Sequence, residues 1–199
     1  MELRVLGCLI EKQRTTPDAY PLSLNALRLA CNQATNRDPV VEYDEETIRA
    51  ALQRLGGRGW TRLASGPGSR AVKYRHLFDE ALRLDDADLA LLAVLMLRGP
   101  QTLGELKSRT ERLHRFESIA AVEERLNALR KRELVARLPR RPGQKEERFA
   151  QLLGDEAGED VPEVPTAPAP AGDDRLERLE ARVAALEDEV AALRGGGEG

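Results

Sequence analysis

The sequence predicts an α+β protein, mainly helical, in which one unit of three helices and a β-hairpin occurs twice. The 199-residue chain matches itself when it is shifted by about 75 positions. Each copy shows three stretches of helical periodicity before two short alternating segments. The composition changes abruptly after Leu153. We therefore divide the chain into residues 1–78, 79–153, 154–174 and 175–194.

The internal repeat is carried by three blocks of matching residues. A shift of 75 superposes the turns and strands, a shift of 74 superposes the third helices, and a shift of 79 superposes the starts of the second helices. The matches include Arg62 with Arg137, Leu63 with Leu138, Tyr74 with Phe149, Ile48 with Val122, Leu52 with Leu126, Leu55 with Leu129, and Ser23 with Thr102. Loop insertions produce such small changes of offset, so we interpret the two halves as copies of one module. We expect each copy to bury its own aliphatic stripe beneath the third helix.

Helical spacing and capping residues place three helices in each copy. The first helices carry apolar residues at Leu3, Leu6, Leu9 and Ile10 in one copy and at Leu89, Leu92 and Met96 in the other. The second helices begin at Ser23 and Thr102, and Thr102 forms a capping box with Glu105. The third helices are predicted over residues 44–55 and 118–132.

Two short strands follow each third helix. In the first copy, Lys73 and Arg75 alternate with Val72 and Tyr74, which is the period of a strand. A Pro-Gly dipeptide, at 67–68 in this copy, supplies the turn. Three helices followed by a hairpin is the winged-helix arrangement, a relative of the helix-turn-helix. The sequence therefore predicts two tandem winged-helix domains.

The C-terminal part has two different compositions. Residues 154–174 are acidic and rich in Pro and Ala, which predicts a disordered linker. Beyond them, apolar residues alternate spacings of three and four, as in a coiled coil. These heptad positions are Leu176, Leu179, Val183, Leu186, Val190 and Leu193. Flanking charges such as Arg182 and Glu187 favour a parallel homodimer through a short helix over 175–194. The alternative is a solvated or docked amphipathic helix.

Several odd strings of residues also indicate a family. They are LIEKQRTTPDAYPLSLNAL at 9–27, ACNQATNRDPV at 30–40, SGPGSRAVKY at 65–74, LMLRGPQTLGELKSRTERL at 95–113 and PGQKEERF at 142–149. Through them, residues 1–153 resemble the YceH-like family of uncharacterised bacterial tandem winged-helix proteins. The resemblance implies two winged-helix domains in a cytoplasmic bacterial protein. It implies no established activity and no catalytic residues.

Composition and motifs argue against an enzyme or a membrane protein. No apolar run approaches the length of a membrane span, so we expect a cytoplasmic protein. Cys8 and Cys31 lack metal-ligand spacing and are interpreted as small buried residues. His76 and His114 have no nucleophile or carboxylate pattern nearby and are interpreted as surface or boundary residues. We expect no catalytic residues, no metal and no cofactor.

The charge pattern favours binding of double-stranded DNA. Residues 1–153 hold 27 Lys and Arg against 21 Asp and Glu, whereas residues 154–199 hold 4 against 13. The residues predicted to contact phosphates or base edges lie on the third helices and in the hairpins. They are Arg49, Gln53, Arg54, Arg62, Arg70, Lys73 and Arg75 in the first copy, and Arg125, Arg130, Lys131, Arg137, Arg140, Arg141, Lys145 and Arg148 in the second.

A second hypothesis is a protein-binding adaptor. The third helices begin with carboxylates, such as Asp44, Glu45 and Glu46, where a DNA-reading helix would face phosphates. The polar segment 32–40 is interpreted mainly as an anchored loop. Arg37 within it is either a structural residue, a phosphate contact or a bridge to the other module.

Overall fold

The structure, a computed structural model, describes residues 1–64, 72–140 and 146–154, which all belong to one compact unit, Met1–Asp160. These residues form an α+β, mainly helical structure, so the fold class is confirmed at this level. Apart from Gly154, the predicted linker and the predicted coiled-coil helix lie outside the described residues.

The first repeat contains three helices and a small sheet. Its elements are α1 (Glu2–Thr15), a 3-10 turn (Pro17–Ala19), β1 (Leu22–Ser23), α2 (Leu24–Cys31), α3 (Glu45–Gly57), β2 (Thr61–Leu63) and β3 (Lys73–His76). The predicted N-caps of α2 and α3 are confirmed. The Ser23 side chain accepts a hydrogen bond from the Ala26 N–H at 3.3 Å, and the Asp44 carboxylate accepts one from the Thr47 N–H at 2.7 Å.

The second repeat follows the same order after a short connecting helix. Its elements are α4 (Phe78–Leu82), α5 (Asp86–Arg98), α6 (Leu103–Thr110), α7 (Ile119–Lys131), β4 (Val135–Leu138) and β5 (Arg148–Gln151). The capping box of Thr102 and Glu105 is present at the start of α6. Ser118 caps α7 through the Ala121 N–H at 3.1 Å.

Both repeats pair their strands in the same way. In the first, β3 lies between β1 and β2, and both pairings are antiparallel. In the second, β4 pairs with β5, and an isolated bridge joins Gln101 to Phe149. Gln101 thus takes the place that Leu22 holds opposite Tyr74 in the first repeat. The sequence did not indicate β1 or this bridge, because two paired residues are too few to show a period.

The first strands of the two hairpins, β2 and β4, are equivalent in a register that differs from the predicted one. Trp60 N–H donates to the Leu55 carbonyl, and Leu134 N–H donates to the Leu129 carbonyl. These equivalent bonds show that the shift of 74 continues through the first strand. The predicted match of Arg62 with Arg137 and of Leu63 with Leu138 is therefore wrong by one residue. The structure instead places Leu63 at the position of Arg137, while the shift of 75 holds for β3 and β5.

The apolar core is continuous across the two repeats. The predicted stripes of α3 and α7 are buried, including Ile48 and Val122. They join one cluster rather than two, because α1 packs along α5 between them. Residues 87–97 of α5 are all buried, as expected for a helix with neighbours on every side. The expectation of a separate core in each repeat is therefore wrong.

The boundary between the repeats falls at α4, whose first residue Phe78 is completely buried. Because α1 and α5 share a core across this point, the division into domains at residues 78 and 79 stays a prediction. None of the helices within residues 1–64, 72–140 and 146–154 is long and apolar enough to cross a membrane.

Candidate nucleic-acid interface

The outer surface of α3 carries the first group of predicted contact residues. Arg49 and Gln53 are exposed one turn apart, and neither makes a hydrogen bond or ion pair with another described residue. Arg54 is also exposed, but its guanidinium contacts the carboxylate of Glu2. Arg58, which was not among the predicted residues, lies 3.8 Å from Glu2 and covers the ring of Trp60 at 5.3 Å.

The N-terminal end of α3 is acidic and faces solvent. The backbone N–H of Thr47 donates to the Asp44 carboxylate, and this hydrogen bond lowers the pKa of Asp44. Glu45 and Glu46 are exposed. Asp44 thus caps the N-terminal end of α3. A phosphate group would be repelled from this end of the helix.

One face of the first hairpin is basic. Arg62 on β2 lies directly opposite Arg75 on β3, so the two guanidinium groups leave the sheet on the same side. Arg75 donates to the Glu80 carboxylate at 2.6 Å. Arg62 is exposed and has no ion-pair partner in the described part of the chain. Lys73, two residues from Arg75, is half-buried.

The other face of the first hairpin is apolar, which the sequence analysis did not identify as a functional feature. Thr61 and His76 are buried at the base of the hairpin. Further out on the same face, Leu63 is 61% exposed and Val72 is 52% exposed. The alternation around Val72 contained this signal, but only the pairing of β2 with β3 brings Leu63 beside it.

The three cations of α7 differ in their partners. Arg125 lies 3.0 Å from Asp85 and 3.6 Å from Asp88, so it joins α7 to the start of α5. Asp88 is buried, and this burial raises the pKa of its carboxyl group. Arg130 donates to the Asn127 side chain at 3.1 Å. Lys131 is exposed at the end of the helix.

Two of the described cations of the second hairpin have partners within the protein. Arg137 on β4 makes an ion pair with Glu147. Arg148 is half-buried and donates to the Pro100 carbonyl at 3.4 Å. Arg140 is exposed, without a partner among residues 1–64, 72–140 and 146–154. Among the predicted contact residues that the structure describes in this repeat, Arg125, Arg137 and Arg148 thus have partners within the repeat.

Some predicted residues lie outside the described residues. They are Arg70, Arg141 and Lys145 near the hairpin turns, and the heptad residues Leu176, Leu179, Val183, Leu186, Val190 and Leu193. Their predicted roles in DNA binding and dimerisation stay predictions.

The polar segment 32–40 is a structural anchor, as the main interpretation predicted. Arg37 is buried, donates to both carboxylate oxygens of Glu11 at 3.1 and 2.5 Å, and donates from Nε to the Ala30 carbonyl at 3.1 Å. Burial by itself would lower the pKa of Arg37, but the Glu11 hydrogen bond contributes to a net rise. The partner of Arg37 is thus in its own repeat. The segment also reaches the second repeat, because the Asp38 N–H donates to the Leu97 carbonyl at 2.9 Å.

The interpretation of the histidines and cysteines is partly corrected. His76 is 2% exposed, and its Nε2 lies 2.6 Å from the Gln13 side-chain oxygen, so it is a core residue and not a surface one. His114 is half-buried against the Phe116 ring at 4.7 Å. Cys8 and Cys31 are free and buried, as predicted. Within the described residues, no group of three His, Cys, Asp or Glu could hold a metal ion.

Comparison with known proteins identifies the family. The family model described as "Protein of unknown function, DUF480" matches residues 1–144. The chain belongs to the DUF480 family. This match includes the whole first repeat and, in the second repeat, all elements except β5.

Proteins named UPF0502 match most of the chain. A UPF0502 protein of Pelobacter propionicus is 50% identical over 97% of this chain and 91% of its own length. UPF0502 proteins of Pseudomonas syringae pv. tomato and Shewanella loihica are 46% and 45% identical, over 96% and 97% of this chain and over 90% and 93% of their own lengths. The family resemblance inferred from the sequence motifs is therefore confirmed.

Proposed function

We propose that each repeat is a winged-helix module and that the protein binds double-stranded DNA without catalysing a reaction. The proposed contact surface is the outer side of α3 together with the first hairpin. The observation that carries this proposal is a pair of exposed cations, Arg49 and Arg62, without ion-pair partners among the described residues. They lie on adjacent elements, since β2 packs against α3. Unpaired cations at such a surface are available to phosphates.

The acidic start of α3 constrains how the DNA would lie. Glu45 and Glu46 would face phosphates if the N-terminal turn entered the major groove. We therefore place the DNA against the part of α3 beyond its first turn, where Arg49 and Gln53 are exposed, and against the hairpin. An Arg and a Gln one turn apart can donate to phosphates and to purine edges.

We expect the second repeat to contribute less to DNA binding than the first. Arg125 and Arg137 are held by carboxylates, and a phosphate would have to displace those partners. Arg140 and Lys131 are the exposed cations that this repeat could contribute from its described residues. We propose that it adds to the affinity without setting the orientation on the duplex. The homodimer through residues 175–194, which would double both surfaces, is likewise a proposal.

A salt series tests the proposed DNA contact. The full chain is titrated into a labelled duplex of mixed sequence, and fluorescence anisotropy is measured at several salt concentrations. We expect an affinity that falls steeply with salt. The variant Arg49→Glu/Arg62→Glu should bind at least about tenfold more weakly and should lower the salt slope by about one per lost phosphate contact.

The matched control is Arg112→Glu/Arg115→Glu, which makes the same change of charge on two exposed residues between α6 and α7. It should weaken binding far less. Equal losses in the two variants would mean that only the total charge matters, and would remove α3 and the first hairpin from the proposal. Absence of binding at low salt would contradict DNA binding altogether.

A protein-binding adaptor is the second candidate, and the surface of α7 is the observation that favours it. Ile119 is 49% exposed at the start of this helix, close in sequence to exposed Ala120 and to the carboxylates of Glu123 and Glu124. Such a surface suits a basic, partly apolar protein segment better than a phosphate backbone. Under this candidate, the chain would show no salt-dependent affinity for the duplex, and Ile119→Asp would release a co-purifying protein.

A further inference from the structure

The two hairpins differ at one pair of equivalent positions. Counting from the β-pairing, Leu63 and Val72 lie diagonally across the first hairpin, and Arg137 and Glu147 lie at the same two positions in the second. In the second repeat the two side chains form an ion pair. In the first repeat they are aliphatic and more than half exposed. The same backbone position thus carries an internally satisfied pair in one repeat and an unsatisfied apolar pair in the other.

The exposed aliphatic pair is not needed to build the hairpin. The hairpin base is closed by buried residues, Thr61 opposite His76, and by the Ala64 N–H, which donates to the Lys73 carbonyl at 2.9 Å. The second hairpin forms an equivalent antiparallel pair with charged residues at the outer positions. Solvent contact with Leu63 and Val72 therefore carries a free-energy cost that the fold does not require.

We propose that Leu63 and Val72 form an apolar wedge that enters the minor groove of double-stranded DNA and opens one base step. In this arrangement, Arg62 on the opposite face of the hairpin contacts the flanking phosphates. The proposal rests on the DNA binding proposed above and adds the groove, the mode of contact and a preference among duplexes. Aliphatic side chains inserted at a base step unstack it partly and kink the duplex.

The chemistry of the hairpin favours DNA over a protein surface as the occupant. Two aliphatic side chains provide far less area than the roughly 800 Å² per partner that a stable protein interface needs. They are enough to enter a base step. On the other face, Arg75 is paired with Glu80, whereas Arg62 directly opposite it is exposed and has no ion-pair partner among the described residues. A phosphate on the groove wall would supply a partner for Arg62, which an apolar protein surface would not do.

This mode of contact predicts a preference for deformable DNA. Pyrimidine–purine steps such as TA unstack easily, whereas A-tracts are stiff. A wedge should therefore bind a duplex with a central TA step more tightly than one with a central A-tract. A hairpin that contacts only phosphates would not distinguish the two.

The test transplants the ion pair of the second repeat into the first. The variant Leu63→Arg/Val72→Glu leaves the net charge unchanged, so any effect on DNA binding cannot come from total charge. The full-length chain is mixed with duplexes that carry a donor and an acceptor dye at their ends and either a TA step or an A-tract at the centre. Affinity and end-to-end energy transfer are measured. A second variant, Leu63→Ser/Val72→Thr, removes the same aliphatic side chains without introducing charge and is measured in the same way. Circular dichroism checks that each variant is folded.

The wild-type chain should bind the TA duplex more tightly than the A-tract and should bend it. Both variants should lose at least about tenfold in affinity for the TA duplex, together with the bend and the TA preference. Leu29→Ser, which removes an aliphatic side chain on α2 that is 56% exposed, is the control and should change neither. Wild-type binding that both variants reproduce, with the same bend, would overturn the wedge and leave the proposed DNA binding in place. Wild-type protein that binds neither duplex would overturn both.

Discussion

The two hairpins share a backbone and differ in surface chemistry. In both, the residue before the first strand donates to the last turn of the preceding helix, through Trp60 N–H in one repeat and Leu134 N–H in the other. Their outer positions hold Leu63 and Val72 in the first repeat and the Arg137–Glu147 ion pair in the second. The difference shows that the shared backbone determines where side chains project in both repeats. The residues at those positions, and the partners they contact, differ between the repeats.

A second difference lies in the connection between the second and third helices of each repeat. Residues 32–44 of the first repeat are held by the buried guanidinium of Arg37. The shorter stretch 111–118 of the second repeat is held by Phe116, which is 6% exposed. One connection therefore depends on charge pairing and the other on apolar packing. Substitutions can separate the two.

The largest expected effect comes from breaking the charged connection. Arg37→Ala leaves the Glu11 carboxylate without its principal partner and removes the hydrogen bond to the Ala30 carbonyl. Loss of one member of a buried ion pair costs about 3–5 kcal/mol of unfolding free energy. Urea unfolding followed by circular dichroism should show this loss.

The matched control is Arg115→Ala in the connection of the second repeat. Arg115 also pairs with a carboxylate, that of Glu111 at 3.2 Å, but its side chain is 83% exposed. Such a surface pair contributes about 0–1 kcal/mol. If the two variants unfolded at the same urea concentration, the first connection would not depend on its buried charge.

The next effect concerns the crossing of α1 and α5, where the two first helices are not equivalent. Gly7 of α1 lies so close to α5 that an added Cβ would come 3.0 Å from Leu97 Cγ and 3.2 Å from Met96 Cβ. Gly7→Val should overpack this contact and lower the unfolding free energy by about 1–3 kcal/mol. Thermal unfolding by calorimetry measures the change. Gly104→Ala on α6, where nothing lies within 4 Å of the added Cβ, should be neutral or stabilising. Destabilisation by Gly104→Ala equal to that by Gly7→Val would contradict a steric origin.

The sequence was sufficient for the helices because their periodicity and caps are local signals. The third helices were predicted over 44–55 and 118–132, and they extend over Glu45–Gly57 and Ile119–Lys131. The shared core was not predictable in the same way. A helix such as α5, which is apolar on every side, is predicted to be buried, but its sequence pattern does not indicate which helix packs against it.

The candidate site was predicted less well, because its chemistry depends on pairing between distant residues. The sequence shows Arg125 as a cation on a predicted helix, and only the fold reveals that Asp85 and Asp88 lie beside it. Arg49 and Arg62 look no different from Arg125 in the sequence, yet within the described part of the chain they have no ion-pair partner and Arg125 has two. The one-residue error in matching the hairpins has the same origin. Arg62-Leu63 and Arg137-Leu138 have identical letters, whereas the pairing of strands follows hydrogen bonds.

The smallest expected effect concerns the base of the two hairpins, where His76 occupies the position that Gln151 holds in the second repeat. Burial is the main cause of the lowered pKa of His76. The Asp79 carboxylate, 3.4 Å from Nδ1, and the Glu80 carboxylate raise this pKa, whereas Arg75 and Arg14 lower it. The ring is therefore harder to protonate in the folded protein than in the unfolded chain, which binds a proton below about pH 6.5. The contribution of His76 to stability is complete above that pH and is lost as the pH falls through the lower pKa of the folded state.

Replacing His76 with the residue of the second repeat should remove this dependence. Between pH 7 and pH 5, wild-type protein should lose more unfolding free energy than His76→Gln, as measured by urea unfolding at each pH. Asp79→Asn removes the carboxylate that favours the protonated ring, so it should lower the folded-state pKa further and make the loss of stability on acidification larger. Parallel curves of unfolding free energy against pH for wild type and His76→Gln would mean that the two hairpin bases respond to acid in the same way, and that the buried histidine does not distinguish them.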